Sequence, residues 1–145
     1  MKNVSMAAPV APSLLYITDF SEASIRALRW AIPEAQKHHL HLSVLYPYRL
    51  DSVRKNENAV ISKKDLDRVA SERFEHLMEG MLQASEVTYD FHSEVGFLRD
   101  RIVDHARKNN VVMLVMAKSQ VSEESFPELV EELQIPLVIV PEDKE

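Results

Sequence analysis

Residues 14 to 31 read LLYITDFSEASIRALRWA, in which a short apolar run breaks into polar residues and then into an amphipathic stripe. The apolar run, Leu14 to Ile17, predicts a first β-strand. Residues of types that cap helices follow it: Thr18, Asp19 and Ser21. Apolar residues at helical spacing then predict a helix: Ile25, Leu28, Ala31 and Ile32. A strand followed directly by a helix is the repeating unit of α/β proteins.

Two prolines are predicted to limit these first elements. Pro33 lies within the helical stripe, and because proline has no backbone N–H, we expect it to kink or split that helix. The next apolar run, Leu40 to Tyr46, predicts a second strand that ends at Pro47. From Tyr48 to Ile61 the chain is polar and predicts an exposed loop.

The alternation of short apolar runs and helical stripes continues to the end of the chain. Further strands are predicted at Val87 to His92, Val111 to Met116 and Leu137 to Val140. The stretches between them predict three helices. The first is opened by Ser62 and Asp65 and runs on from Leu66 to Leu82. The second follows Gly96 through Ile102, Val103 and Ala106, with a left-handed turn at Asn109 and Asn110, and the third is opened by Ser125, Pro127 and Glu128. This order predicts a three-layer α/β domain with a parallel sheet.

Composition and charge limit the classes of protein that the chain can be. With 145 residues, 46% of them hydrophobic, we predict one domain at residues 13–145 after a flexible N-terminal tail at 1–12. The net charge of −6 argues against a nucleic-acid partner, and the lack of cysteine excludes disulfides and thiol chemistry. No secretory signal or membrane-spanning apolar run is evident, so we expect a cytoplasmic protein without a membrane partner.

Motifs for catalysis or metal binding are weak. The run HHLH offers two imidazoles at strand spacing among His38, His39 and His41, but it lacks a nearby carboxylate or cysteine to complete a metal site, and polar residues at a turn explain it better. The remaining histidines, His76, His92 and His105, stand alone and are interpreted as solvated or core-edge residues. With two glycines, neither a nucleophile elbow nor a Walker or dinucleotide motif can be drawn, so we predict no catalytic residue.

Two stretches resemble the universal stress protein family. The first is the opening run at residues 14–31, and the second is GFLRDRIVDHARKNNVVMLVMA at residues 96–117. The similarity extends from about Ser13 to Pro141. It implies an α/β/α sandwich, like that of the adenine nucleotide alpha hydrolases, whose five parallel strands lie in the order 3-2-1-4-5.

The resemblance also implies a nucleotide site, in a degenerate form. In ATP-binding members a G-x2-G-x9-G-[ST] loop after the fourth strand wraps the phosphates with its backbone N–H groups. Here Ala117 replaces the first glycine, and the final pair is Glu124 and Ser125, with only six residues between Ala117 and Glu124. The positions that match the family site are Ile17, Asp19, Val44, Met116, Ala117, Lys118, Ser119 and Ser125. Alternatively, Asp19 caps the first helix and the apolar residues belong to the strand core.

The shortened loop weakens phosphate binding in two ways. Losing three charge-assisted hydrogen bonds at roughly 1.5 to 3 kcal/mol each removes about 5 kcal/mol or more. A micromolar site would then become about millimolar or worse. Glu123 and Glu124 add negative charge where an anion would otherwise be attracted. We therefore predict no tightly bound cofactor, with ATP or AMP as weak ligands at most and with Lys118 and Ser119 available to another small molecule.

Three functional classes compete. The main prediction is a binding or signalling protein of the stress response that acts through an unidentified protein partner. The alternative is an adenine-nucleotide-binding member with an unorthodox loop and, with it, slow ATP hydrolysis. A phosphorelay receiver would use Asp19 and Lys118, but it needs an acceptor Asp at the end of the third strand, where this chain has Phe91, His92 and Ser93.

The last predicted strand, Leu137 to Val140, suggests a homodimer. In the strand order that the resemblance implies it lies at the edge of the sheet, and it contains neither charge nor proline between Pro136 and Pro141. Family members commonly dimerise by pairing this strand with its own copy, antiparallel about a two-fold axis. In the opposing interpretation, the N-terminal tail or the acidic segment Glu142 to Glu145 covers the edge.

Overall fold

A computed structural model of the protein describes residues 11–50, 62–81, 86–121 and 126–141. These residues form a five-stranded parallel sheet in the order β3-β2-β1-β4-β5. The strands are β1 (Ser13–Ile17), β2 (His41–Tyr48), β3 (Tyr89–Val95), β4 (Val111–Ala117) and β5 (Leu137–Val140). Four α-helices lie in the described ranges: α1 (Glu22–Lys37), α2 (Lys63–Met81), α3 (Leu98–Lys108) and α4 (Phe126–Leu133). The predicted fold class and strand order are confirmed. The predicted tail lies outside the described residues except for Ala11 and Pro12, and its flexibility stays a prediction.

Two helices cover each face of the sheet. On one face, Leu14 and Tyr16 of β1 pack in a core with residues of α1 and α2. On the other face, Leu15 and Ile17 pack in a second core with residues of α3 and α4. All five residues of β1 are therefore buried, which explains why this strand is a continuous apolar run rather than an alternating one. No helix in the described ranges is long and apolar enough to cross a bilayer.

The second strand does not end at Pro47 but continues to Tyr48. Its backbone groups alternate in direction, since the Leu45 carbonyl accepts from Thr18 N on the β1 side and the Tyr48 carbonyl accepts from Gly96 N on the β3 side. Pro47 therefore faces the β1 side, beyond the point where β1 has ended at Ile17. The missing N–H of proline removes no sheet hydrogen bond there, so the prediction was wrong.

The third strand is displaced from its predicted position. Val87 to His92 was expected, but the strand runs from Tyr89 to Val95, with each residue paired to one of β2. Because β3 is an edge strand and only partly buried, it can contain the polar residues Ser93 and Glu94. A hydrophobic pattern assigns these residues to a loop. Of the predicted loop from Tyr48 to Ile61, Tyr48 belongs to β2, and residues 51–61 lie outside the described ranges.

Helix limits follow the sequence with three corrections. Pro33 does not split α1; it lies on the exposed side of the helix, where water can reach the carbonyl that loses its partner. Asn109 is extended (φ −132°) rather than left-handed, and its side-chain amide donates to the His105 carbonyl at 2.8 Å. Asn110 is not left-handed either. The Ser62 cap of α2 is confirmed, since Asp65 N donates to Ser62 Oγ at 3.1 Å. Leu82 and Ser125, the predicted cap of α4, are not among the described residues.

Candidate functional site

The candidate site lies at the carboxyl ends of β1 and β4. These strands are neighbours in the middle of the sheet, and the chain leaves them towards opposite edges, since β1 is followed by β2 and β4 by β5. Such a switch point opens a crevice between the loops that follow the two strands, and open α/β sheets bind ligands there. The segments that line it are Thr18 to Ser21 after β1 and Lys118 to Gln120 after β4.

After β1, the backbone turns tightly into α1. Ser21 is the cap of the helix, because its side chain accepts a hydrogen bond from Ser24 N at 3.1 Å. Asp19 is exposed, and its Oδ1 accepts from Ser21 N at 3.0 Å, so it supports the capping residue rather than capping the helix itself. Phe20 between them is left-handed (φ 63°) and is held by a bond from its N–H to Thr18 Oγ1 at 3.0 Å. The alternative reading of Asp19 as the helix cap is therefore wrong.

A buried polar network fixes this turn from below. The Tyr16 hydroxyl donates to the Ser24 carbonyl, and Thr18 Oγ1 lies 3.3 Å from Ser24 Oγ. Burial raises the pKa of Tyr16 to about 12, so the phenol is neutral and serves as a donor. The network joins the end of β1 to the first turn of α1 and leaves the three buried side chains satisfied. Its function is structural.

At the last residue of β4, the backbone donor is already engaged. Ala117 N–H donates to the side-chain Oε1 of Gln120 at 2.9 Å, across a short 3₁₀ turn at Lys118–Gln120. In the family motif this is the position of the first glycine of the phosphate loop. Lys118 and Ser119 are exposed beside the crevice. Ser125 and residues 122–124 lie outside the described residues, so the far end of the predicted loop is not described.

The three apolar candidates do not share one wall. Ile17 and Met116 lie in the core beneath α3 and α4, whereas Val44 lies in the opposite core beneath α1 and α2. All three side chains are at most 1% exposed. The structure therefore brings Ile17 and Met116 together and places Val44 behind the sheet. Their role towards a nucleotide stays a prediction.

Two cavities that the described residues line beside the switch point are small. Beside Met116 and Gln120, a cavity of about 50 Å³ lies between the 3₁₀ turn and the first turns of α3 and α4. Beneath α2, a cavity of about 100 Å³ adjoins Phe20 and Tyr46. Both are far below the roughly 300 Å³ at which pockets for drug-sized ligands begin. A larger cavity of about 410 Å³ lies at the opposite, amino-terminal edge of the sheet, near His39.

Aromatic side chains occupy the crevice on the α2 side. The Phe20 ring contacts the Tyr46 ring with 5.0 Å between centroids, and the Arg73 guanidinium lies 4.4 Å from the Phe20 centroid. Tyr46 in turn stacks on Tyr48 at 5.4 Å. Sequence analysis missed this wall, because its members come from three separate segments: the turn after β1, β2 and α2. Phe20, which is 9% exposed, thus packs into this wall at the end of β1.

Asp67 of α2 collects three donors near this wall. Its carboxylate accepts from Tyr48 Oη at 2.8 Å, from Ser93 Oγ at 2.7 Å and from Lys63 Nζ at 2.7 Å. Burial alone would raise the pKa of Asp67, but the bonds from Lys63, Ser93 and Tyr48 outweigh it and the pKa is lowered. The carboxylate fastens α2 to β2 and β3, and sequence analysis missed it.

The histidines are less isolated than their sequence positions suggest. His41 Nε2 and His92 Nε2 lie 3.4 and 3.3 Å from Asp90 Oδ2, so a carboxylate does stand beside His41. His92 and His105 have ring centroids 5.1 Å apart, which corrects the interpretation that each stands alone. Even so, no three His, Cys, Asp or Glu side chains within the described ranges are arranged to hold a metal ion.

Comparison with known proteins agrees with this architecture. The family model described as "Universal stress protein family" matches residues 12–141. A universal stress protein solved in complex with cAMP is 16% identical, with a TM-score of 0.65, and the match covers 91% of this chain and 98% of the other. A comparison with curated protein sequences gave no significant match.

Two further structures carry the same fold. A universal stress protein family member from Burkholderia pseudomallei is 16% identical, with a TM-score of 0.66 and coverage of 94% and 99% of the two chains. The Archaeoglobus fulgidus protein in complex with dAMP is 15% identical, with a TM-score of 0.61 and coverage of 90% and 98%. At identities this low, the structural similarity shows a shared fold and nothing more. With the family model matched over nearly the whole length, this chain belongs to the universal stress protein family.

Proposed function

We propose that this chain is a cytoplasmic binding and signalling protein of the stress response that acts as a homodimer through protein contacts and does not bind ATP tightly. One observation supports the last point above all. The backbone N–H that opens the phosphate loop, that of Ala117, is bonded to the Gln120 side chain at 2.9 Å. The chain supplies its own acceptor at the position where ATP-binding members meet a phosphate.

Binding a triphosphate would require several changes at once. Gln120 would have to leave Ala117, and a neutral amide–carbonyl bond of this kind contributes about 1 kcal/mol. The turn after Ala117 contains no glycine, and glycine is the residue that lets backbone approach a phosphate closely and take positive φ. The cavities beside the crevice are also small, and Phe20 occupies one wall. The Gln120 bond, the lack of glycine and the small cavities all weaken ATP binding.

We expect ATP to bind no more tightly than about 1 mM. Isothermal titration of the purified protein with ATP measures this directly. Gln120→Ala is a useful companion, because it frees the Ala117 N–H without lengthening the loop. Removing a bond of about 1 kcal/mol should strengthen ATP binding by at most about fivefold, so the affinity should stay far from micromolar. A micromolar dissociation constant for the unmodified protein would overturn the proposal.

Binding of an adenine nucleotide without the triphosphate is a second candidate function. Two structural relatives were solved with cAMP and with dAMP, ligands that place fewer demands on a phosphate loop. Titration with AMP and cAMP beside ATP separates the two functions. Micromolar binding of AMP or cAMP, reduced by Lys118→Ala at the exposed edge of the crevice, would favour the nucleotide-binding function. No binding by any of the three would favour the protein-contact function.

A homodimer through β5 is the assembly that we propose for this function. The strand is the last in the sheet order and has β4 on one side only. Each of its four residues is partly exposed in the single chain. An apolar edge of this kind pairs readily with another strand. Its own copy is the simplest partner, because a two-fold axis satisfies both edges together.

A further inference from the structure

A cluster of titratable side chains lies away from the switch point, on the face of β2 and β3 that α3 covers. We call it the histidine cluster; its members are His41, Ser43, Asp90, His92 and His105. Ser43 and Asp90 are paired residues of β2 and β3, and His92 lies two residues further along β3 on the same face. His105 comes from α3 and is 7% exposed, with its Nε2 at 3.0 Å from Ser43 Oγ.

The hydrogen bond between His105 and Ser43 joins α3 to the sheet. His105 Nε2 lies 3.0 Å from Ser43 Oγ, and either atom can be the donor, depending on the tautomer of the imidazole. Asp90 is the residue of β3 that is paired with Ser43. The bond connects the third turn of α3 to β2.

Burial of His105, more than the charges around it, disfavours its protonated form. Burial lowers the pKa of His105, and His92 beside it lowers it further. The acidic groups that face it, Glu94 and Asp90 of β3 and Asp104 of α3, act in the opposite direction without reversing the shift. His41 of β2 is the remaining titratable member, and it lies against Asp90 rather than His105. A proton on His105 would place a buried charge beside a second imidazole.

We propose that the histidine cluster is an acid-sensitive latch that holds α3 on the sheet at neutral pH and loosens it on acidification. Protonation puts a charge on the buried His105 ring, which contacts the His92 ring. It also makes both ring nitrogens donors, so that Ser43 Oγ can only accept from His105. These changes loosen α3. The first turn of α3 lines the cavity beside Met116, so the latch and the switch point share one helix.

The sign of the pH effect follows from the lowered pKa of His105. Its pKa in the folded protein lies below the ordinary value of 6.5, so the unfolded chain takes up the proton first. The contribution is fully present above 6.5 and is lost as pH falls from there towards the lowered folded value. The lowered pKa of Asp90 acts only further down, below its ordinary 3.8, and leaves this window unaffected.

Equilibrium urea unfolding at pH 7.5 and pH 5.0 tests the latch with His105→Gln. Glutamine keeps a polar side chain that can bond to Ser43 Oγ, but it does not titrate. The folding equilibrium constant of the unmodified protein should fall on acidification by at least about twofold more than that of the variant. The matched control is His76→Gln, because His76 is an exposed histidine of α2, and it should show the full loss. Equal losses in His105→Gln and the unmodified protein would overturn the proposal.

A second measurement needs no variant and applies even if His105→Gln fails to fold. Proton NMR of the imidazole ring follows the titration of His105 in the unmodified protein, and amide hydrogen exchange at pH 7.5 and pH 5.0 follows α3. We expect His105 to titrate below 6.5 and the protection of α3 amides to fall relative to those of α2. His105 titrating at or above 6.5, or α3 and α2 losing protection equally, would show that no latch exists.

Discussion

At the scale of single residues, two polar side chains in the turn after β1 have different roles at the start of α1. Ser21 accepts from a helix N–H, and Asp19 accepts from the N–H of Ser21 itself. In the sequence, both are residue types that cap helices. The structure separates them because only Ser21 immediately precedes the first helical residue, Glu22.

We expect Ser21→Ala to lower the free energy of unfolding by about 1 kcal/mol through the lost cap. Asp19→Ala should lower the free energy of unfolding by only about a few tenths of a kcal/mol, because water largely replaces an exposed Asx-type hydrogen bond. Urea unfolding of both variants beside the unmodified protein measures the difference. An Asp19→Ala variant as destabilised as Ser21→Ala would contradict this assignment of roles.

At the scale of elements, two prolines differ in what their missing N–H removes, because they lie at different positions in their helices. Pro33 lies in the interior of α1, where it leaves one carbonyl without its helical partner. Pro127 lies in the first turn of α4, where a backbone N–H would have no helical partner in any case. Both prolines are exposed, so neither is held in place by the core.

We expect Pro33→Ala to stabilise the protein by about 1 to 3 kcal/mol, since alanine restores the hydrogen bond and favours the helix interior. Pro127→Ala is the matched control and should change the free energy of unfolding by less than about 1 kcal/mol. Thermal and urea unfolding of the two variants measure these values. The explanation fails if Pro33→Ala gives no larger gain than Pro127→Ala.

At the scale of the whole molecule, the register of β5 decides which of its residues can bind a second chain. Leu114 N donates to the Pro136 carbonyl, so the backbone of Pro136 faces β4. Because backbone direction alternates along a strand, Val138 also faces β4 and Ile139 faces the free edge. A proline at Ile139 therefore removes an outward donor, whereas one at Val138 would break the sheet within the chain.

We expect the unmodified protein to be dimeric at tens of micromolar and Ile139→Pro to be monomeric with its fold retained. Ile139→Ala is the control, because it trims the side chain but keeps the N–H, and it should weaken the dimer less. Light scattering gives the mass, and circular dichroism checks the fold. A monomeric unmodified protein at about 50 µM, where a stable dimer persists, would remove the basis of the proposal.

Much of this architecture was already determined by the sequence. The continuous apolar run of β1, the limits of β5 and the Ser62 cap of α2 were all predicted, as were the strand order and the family through the resemblance. The first three features are local, because periodicity and capping are properties of short consecutive segments. The altered loop after Ala117 is equally visible there, since the missing glycines can be counted.

Only the tertiary structure decided which side chains meet. Val44 falls on the opposite face from Ile17 and Met116, and β3 takes its limits from its pairing with β2. Ser43 and His105 are 62 positions apart in the chain, yet they form one buried hydrogen bond. A periodic pattern states that a residue points inward, but its partner depends on which elements pack against that face. The contacts at the switch point and in the histidine cluster are set by this packing, because each joins side chains from separate segments of the chain.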